Sequence, residues 1–414
     1  MSARRYWRRV TPMERLAMVV HQAYRYHVDG VLECEGQVDP EQLRAAVARA
    51  AECNPGLRVR LRGRSGWSRW IDSGIAPAVR VLACADWDGD SDRGADFLEA
   101  PFDVVGGGAI ADVLLVPCRD GRTRLVFRTA HAAVDGRGCM HWMTEVLRAM
   151  RGEPLVGAPS SLTDTDIHRR YREQLPARQQ ASQAAPTCLS VLAPSSHGRQ
   201  PLRYLWRRIS LNRSVSHLLP KVAIFLAQWA RRESQGPIAF TIPVDYRGLR
   251  TPELGTGNLT GYLRLDVDEA ATPRTLMKQL NDRIREFADC RTFPGADAMR
   301  WLPLSLLQQR MRPMDPELLY RPRPGAPSGG LVSMGTFRLS DYDGPGFRAC
   351  GIYGIPGAVG RLNVLFGNTD RGAQLLFTAP AAYNADGQLD TMIEALQRRF
   401  SGGPADSPAD GAAS

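Results

Sequence analysis

The chain has 414 residues, 43% hydrophobic and 23% charged, the composition of a soluble globular protein long enough for two cores. Its net charge is +10, which suits an acidic partner or a phosphorylated ligand. All its basic residues except Lys221 and Lys278 are arginines, a bias that genome composition explains equally well.

The arginines are scattered, with no zinc-finger spacing and no aromatic-basic RNA motif, so no nucleic-acid partner is expected. The densest run, Arg4-Arg5-Tyr6-Trp7-Arg8-Arg9, reads as a solvated N-terminal arm. It is no secretion signal, because Glu14 and Arg15 interrupt the apolar region such a signal needs. The eight cysteines form no Cys-x-x-Cys pair, which predicts neither a zinc ribbon nor a disulfide framework and points to a reducing cytoplasm. The longest apolar helix candidate, His217 to Trp229, contains Pro220 and Lys221 and is too short to span a bilayer. Phosphate-loop, zinc-protease and nucleophile-elbow motifs are absent, so no metal is expected and hydrolase chemistry has no support.

In chain order the pattern predicts a helix at 11–24, a strand at 27–35 and a helix at 39–52. That second helix is capped by Asp39, with Leu43, Val47 and Ala50 on one face. Strands follow at 57–63, 67–72 and 78–83, then a short helix at 93–100. A hairpin pairs 109–117 with 122–130 across Arg119-Asp120-Gly121, since Asp-Gly between apolar runs is a strong hairpin signal. A helix at 137–151 closes this half. Residues 152–200 are rich in Pro, Ser, Gln, Ala and Gly and read as a linker, most clearly from Gln179 to Gln200. The second half repeats the theme. It has strands at 202–210, 236–244 and 259–267, with a helix at 214–231 after the first of them. Helices at 272–289 and 296–311 come next, then strands at 330–338, 346–353, 360–367 and 373–379, and a last helix at 384–399. The final residues are small and polar, and 401–414 is expected to be disordered.

The chemistry-bearing stretch is His131-Ala132-Ala133-Val134-Asp135-Gly136, at the corner between strand 122–130 and helix 137–151. Histidine titrates near neutrality, so there it can take a proton from a nucleophile and return it. A glycine at 136 fits a backbone conformation or a close approach that a side chain would block.

This stretch resembles the His-His-x-x-x-Asp-Gly motif of the condensation-domain superfamily of CoA- or carrier-protein-dependent acyltransferases. Four further segments agree in order: Val10-Thr11-Pro12-Met13; Val31 to Gly36 running into Val38 to Leu43; Asn54 to Leu61; and Pro243-Val244-Asp245-Tyr246-Arg247 followed by Gly257-Asn258-Leu259-Thr260-Gly261. The likeness spans residues 10 to 400. Ala130 stands where the family has its first histidine, while the second, which carries the family's chemistry, is present as His131.

The resemblance implies a mixed α/β (α+β) fold. Two chloramphenicol-acetyltransferase-like lobes would form a V-shaped pseudo-dimer with a tunnel between them. Residues 1–151 would be the motif-bearing lobe, 152–200 the linker and 201–400 the second lobe. It implies catalytic roles for His131, Asp135 and Gly136, with His131 as general base and Asp135 holding the loop through Arg247. Asn258 would support the site, and Ser333 is a possible oxyanion donor or simply a strand serine. His141 reads as structural. The implied activity is a free-standing, monomeric acyltransferase of secondary metabolism, forming an ester or amide. It would take its acyl group from a thioester of CoA or of a phosphopantetheinylated carrier protein and pass it to a small-molecule acceptor, with no permanently bound cofactor and no membrane partner. The alternatives are a non-catalytic docking module for a carrier protein or tailoring enzyme, and dehydration or epimerisation of a carrier-bound substrate.

Overall fold

Strand β7 (Thr123–Ala130) is the spine of the motif-bearing half, pairing with β2 (His27–Gly36) on one side and β6 (Ala111–Pro117) on the other. In the computed structural model the described residues are 5–23, 25–175, 186–193, 203–292, 295–311, 324–357, 360–384 and 386–401. Strands β6 and β7 form the expected hairpin, with Gly121 at positive φ in its turn. The first sheet runs β12-β2-β7-β6-β5, where β5 is Ala78–Val81 and β12 is Phe347–Ile355. A second sheet runs β10-β9-β11-β13-β14-β8. Its members are β8 (Tyr204–Leu211), β9 (Ala239–Asp245), β10 (Thr260–Asp266), β11 (Gly329–Phe337), β13 (Asn363–Thr369) and β14 (Gly372–Pro380). A small third sheet joins β1 (Trp7–Arg9), β4 (Arg69–Asp72) and β3 (Val59–Arg62).

Helices α2 (Pro40–Cys53) and α3 (Gly136–Met150) cover one face of the first sheet and close a core around Leu32, Phe127, Trp142 and Val146. The Asp39 carboxylate caps α2 by accepting from the Glu41 amide at 2.9 Å, an N-cap arrangement that satisfies one free helix donor. Helices α5 (Leu218–Ala230), α6 (Pro273–Arg285) and α9 (Gln388–Ser401) back the second sheet around Phe240, Leu265, Phe377 and Leu396. The two sheets face each other through a third apolar cluster. It draws Val31, Leu114, Val126 and Tyr353 from the first sheet and Trp206, Leu365 and Leu376 from the second. Strand β2 is therefore buried on both faces, which explains its nearly unbroken run of buried residues.

Three expectations are corrected. Phe347–Ile355, assigned to the second lobe, pairs with β2 across the whole strand and belongs to the first sheet. Strand pairing here follows register and burial rather than chain position. Residues 152–175 are no loose linker: they contain helix α4 (Asp164–Tyr171), with a capping box between Thr163 and Asp166. Ile167 of α4 is buried with Tyr246 and Leu259. The helix expected at 296–311 is broken into α7 (Ala296–Met299) and α8 (Leu304–Met311), with Pro303, which lacks a donor, at the break. Most of Gln179 to Gln200, and the tail at 402–414, lie outside the described residues. Among those described, no helix is long and apolar enough to cross a membrane.

Candidate functional site

Residues 131–135 form a tight corner between the end of β7 and the start of α3, closed by the Ala133 and Val134 amides donating to the Ala130 carbonyl. His131 is fixed at both backbone polar atoms. Its amide donates to the Tyr26 carbonyl at 3.1 Å, and its carbonyl accepts from Asn258 Nδ2 at 3.1 Å. The imidazole stacks on the Tyr26 ring, centroids 4.8 Å apart and planes 20° from parallel. Burial lowers its pKa, against the opposing pull of the Asp135 charge and the contact with Asn258. The lowering favours the neutral ring, the state that can accept a proton.

Asp135 is buried and caps α3, its Oδ1 accepting from the Gly138 amide at 2.8 Å. Both oxygens accept from Arg247, each at 3.1 Å, while Oδ2 also takes the Leu259 amide at 2.9 Å and the Thr260 hydroxyl at 3.0 Å. Burial would raise this carboxyl, but Arg247 and the Gly138 and Leu259 amides outweigh it and hold the pKa below the ordinary range. Arg247 donates further to Asp245 and to the carbonyls of Gly255 and Gly257. One guanidinium thereby ties the motif corner to the loop carrying Asn258.

Gly136 does not play the part expected of it. It is exposed, a Cβ there would meet nothing within 4 Å, and its φ is not positive. The steric requirement falls on Gly138, where a Cβ would collide with the Thr256 carbonyl. Ser333 is exposed in β11 beside a register irregularity between Ser333 and Gly335. Among the described residues no hydrogen bond joins it to His131, although Arg137 of α3 donates to the neighbouring Met334 carbonyl at 3.1 Å. His141 contacts the Asn54 side chain at 3.1 Å.

Ala130 is fully buried, and its cross-strand partner is His27. Opposed residues of an antiparallel pair project to the same face, so an imidazole lies one strand away from the position where the family has its first histidine. His27 packs 4.8 Å from Phe102 and 5.2 Å from His21, with no partner for either ring nitrogen among the described residues. Burial and the nearby Arg25 push its pKa well down, so it stays neutral.

The expected solvated arm proves to be part of the site's frame. Arg8 is 3% exposed, pairs with buried Glu14, and donates from Nη2 to the Ala133 carbonyl inside the corner at 2.7 Å. Glu14 Oε2 accepts from the Thr11 amide at 2.9 Å and from the Trp70 indole at 3.0 Å, and Oε1 accepts from Asn258 at 3.3 Å. The Thr11-x-x-Glu14 spacing is that of a capping box and was a usable signal for Glu14. Nothing in the sequence marks Arg8 or Tyr26, because their roles depend on contacts across about a hundred residues.

No protein-family model matches the chain. Among solved structures it is similar to the starter condensation domain of rhizomide synthetase in complex with C8-CoA, with TM-score 0.66 and 14% identity over 95% of this chain and 94% of that one. It is similar to the first condensation domain of the calcium-dependent antibiotic synthetase in complex with a substrate analogue, with TM-score 0.65 and 16% identity over 97% and 96%. Polyketide synthase associated protein 5 from Mycobacterium tuberculosis gives TM-score 0.61 and 15% identity over 95% and 98%. By sequence the chain is 24% identical over 295 residues to phenyloxazoline synthase MbtB of Mycobacterium sp. (strain MCS), covering 64% of this chain and 24% of that protein. It spans about a quarter of that relative's length. The chain has the mixed α/β fold of condensation domains, as the motif resemblance implied.

Proposed function

We propose that this protein is a condensation-type acyltransferase that moves an acyl group from a phosphopantetheine thioester, on CoA or a carrier protein, to a hydroxyl or amine, in secondary metabolism. The observation that carries the reading is the His131 imidazole at the motif corner, its residue pinned through its own amide and carbonyl and its ring stacked on Tyr26. In this reading His131 takes the acceptor's proton as the acceptor oxygen or nitrogen attacks the thioester carbonyl. The tetrahedral intermediate collapses, the carbon–sulfur bond breaks, and the imidazolium returns the proton to the leaving thiolate. No acyl-enzyme forms; holding both substrates together supplies much of the acceleration. A tunnel between the two lobes would keep water from the thioester. Asp135, Arg247 and Asn258 position the base, and Ser333 remains a proposed oxyanion donor that a shift of the irregular β11 strand would have to bring into range.

The test is acyl transfer from a panel of acyl-CoA and acyl-carrier thioesters to hydroxyl and amine acceptors, with His131→Ala as control. Transfer that the variant loses supports the reading. Failure of every thioester, with tight carrier binding retained, would establish the non-catalytic docking module instead.

A further inference from the structure

A cavity of about 630 Å³ lies between the N-terminal strand, α4 and the α7 region, and His131 is not among its lining residues. Five arginines line it: Arg5, Arg8, Arg9, Arg169 and Arg300. Arg8 is committed to Glu14, and Arg169 is paired with Asp166. Among the described residues, Arg5, Arg9 and Arg300 have no carboxylate partner. Arg5 donates to the Asp72 main-chain carbonyl, and Arg300 lies over the Trp301 ring at 5.5 Å. Ser161, Thr163 and Thr165 also line it, together with the acidic residues Asp166 and Asp297. Three arginines on the lining are thus left without a carboxylate among the described residues, in a volume typical of small-molecule sites.

Arginines that line a concave wall with no carboxylate to neutralise them are suited to phosphate oxygens, which accept from a guanidinium in pairs. We infer that this cavity is an anion site for a ligand carrying a diphosphate, separate from the proposed acyl-transfer centre. It needs no acyl chemistry and stands whether or not His131 is a general base.

The probes are inorganic pyrophosphate and ADP, titrated calorimetrically into the full chain at low salt, with Arg9→Glu/Arg300→Glu and His131→Ala as variants. Both altered arginines lie outside the motif corner. The expected result is saturable 1:1 binding of each probe, mutual competition, and weakening as salt rises toward 0.1 M and above. The double variant should bind at least about tenfold more weakly, the loss expected for charge-assisted contacts, while keeping the wild-type melting temperature. His131→Ala should bind like wild type. Absence of saturable binding by both probes, or equal binding by the folded double variant, would overturn the inference. Loss of acyl transfer with probe binding intact would count against the catalytic reading alone.

Discussion

Asp135 and Arg247 stand 112 residues apart in sequence and meet in a two-pronged ion pair, 3.1 Å on each prong, with both side chains almost wholly buried. The pair fastens the corner that carries His131 to the loop that carries Asn258. Removing one partner leaves the other charge buried without compensation. Asp135→Ala should therefore lower unfolding free energy by about 3–5 kcal/mol along with activity, measured by denaturant melts. A fall in turnover with unchanged stability would assign Asp135 a direct catalytic role.

The same carboxylate sets an acid limit. Its folded-state pKa lies below the ordinary value, so its stabilisation is present above the unfolded pKa of about 3.9 and is lost as pH falls through the folded one. Melts from pH 6 down to pH 2 should show wild type losing stability in that window. Asp135→Asn, already destabilised, should show a shallower decline.

For His131 the sign is opposite in origin. Burial lowers its pKa, so the base stays unprotonated down to below about 6.5, the ordinary value. With an acyl-CoA or acyl-carrier donor, kcat/KM should be level between pH 7 and 8 and fall only below the usual histidine range. His131→Ala should leave the fold intact and cost about 10²-fold or more. Wild-type turnover in that variant would end the mechanism.

Gly136 and Gly138 separate sharply. Ala at Gly136 meets open space at the first turn of α3 and should be neutral or stabilising by about 0.4–1 kcal/mol. Ala at Gly138 must displace the Thr256 backbone, at a cost of about 1–3 kcal/mol. Equal melting temperatures for the two variants would contradict this packing.

Asp164, 3% exposed at the start of α4, has its carboxyl pushed up to about 7, by burial first and by the nearby Glu14 second. A raised folded pKa means stability is full below the unfolded value and is lost as pH rises through the folded one. Asp164→Asn should then stabilise the protein at pH 8 by on the order of 4 kcal/mol and have little effect at pH 4. The comparison of melts at the two pH values checks it.

Local chemistry makes much of this molecule legible in its sequence. The Asp39 cap, the Asp-Gly hairpin and the apolar periodicity of α2 and α3 are decided by contacts within a few residues, so the sequence states them directly. The corner bearing His131 and Asp135 was equally visible, because a strand, a compact turn and a helix start are local events. Tertiary structure alone decided what surrounds it. Arg8 in a basic run looks like a solvated arm until the fold buries it beside Glu14 and aims it at the Ala133 carbonyl. Tyr26 acquires meaning only when β2 pairs with β7 and lays its ring on His131. Phe347–Ile355 joins the first sheet because β2 offers an unpaired edge there, and an edge has no signature in a linear string. The exchange of steric duty from Gly136 to Gly138 rests on where Thr256 arrives from the other half of the chain. Sequence determines the elements whose hydrogen bonds close locally; burial and long-range pairing choose which of their side chains become the site.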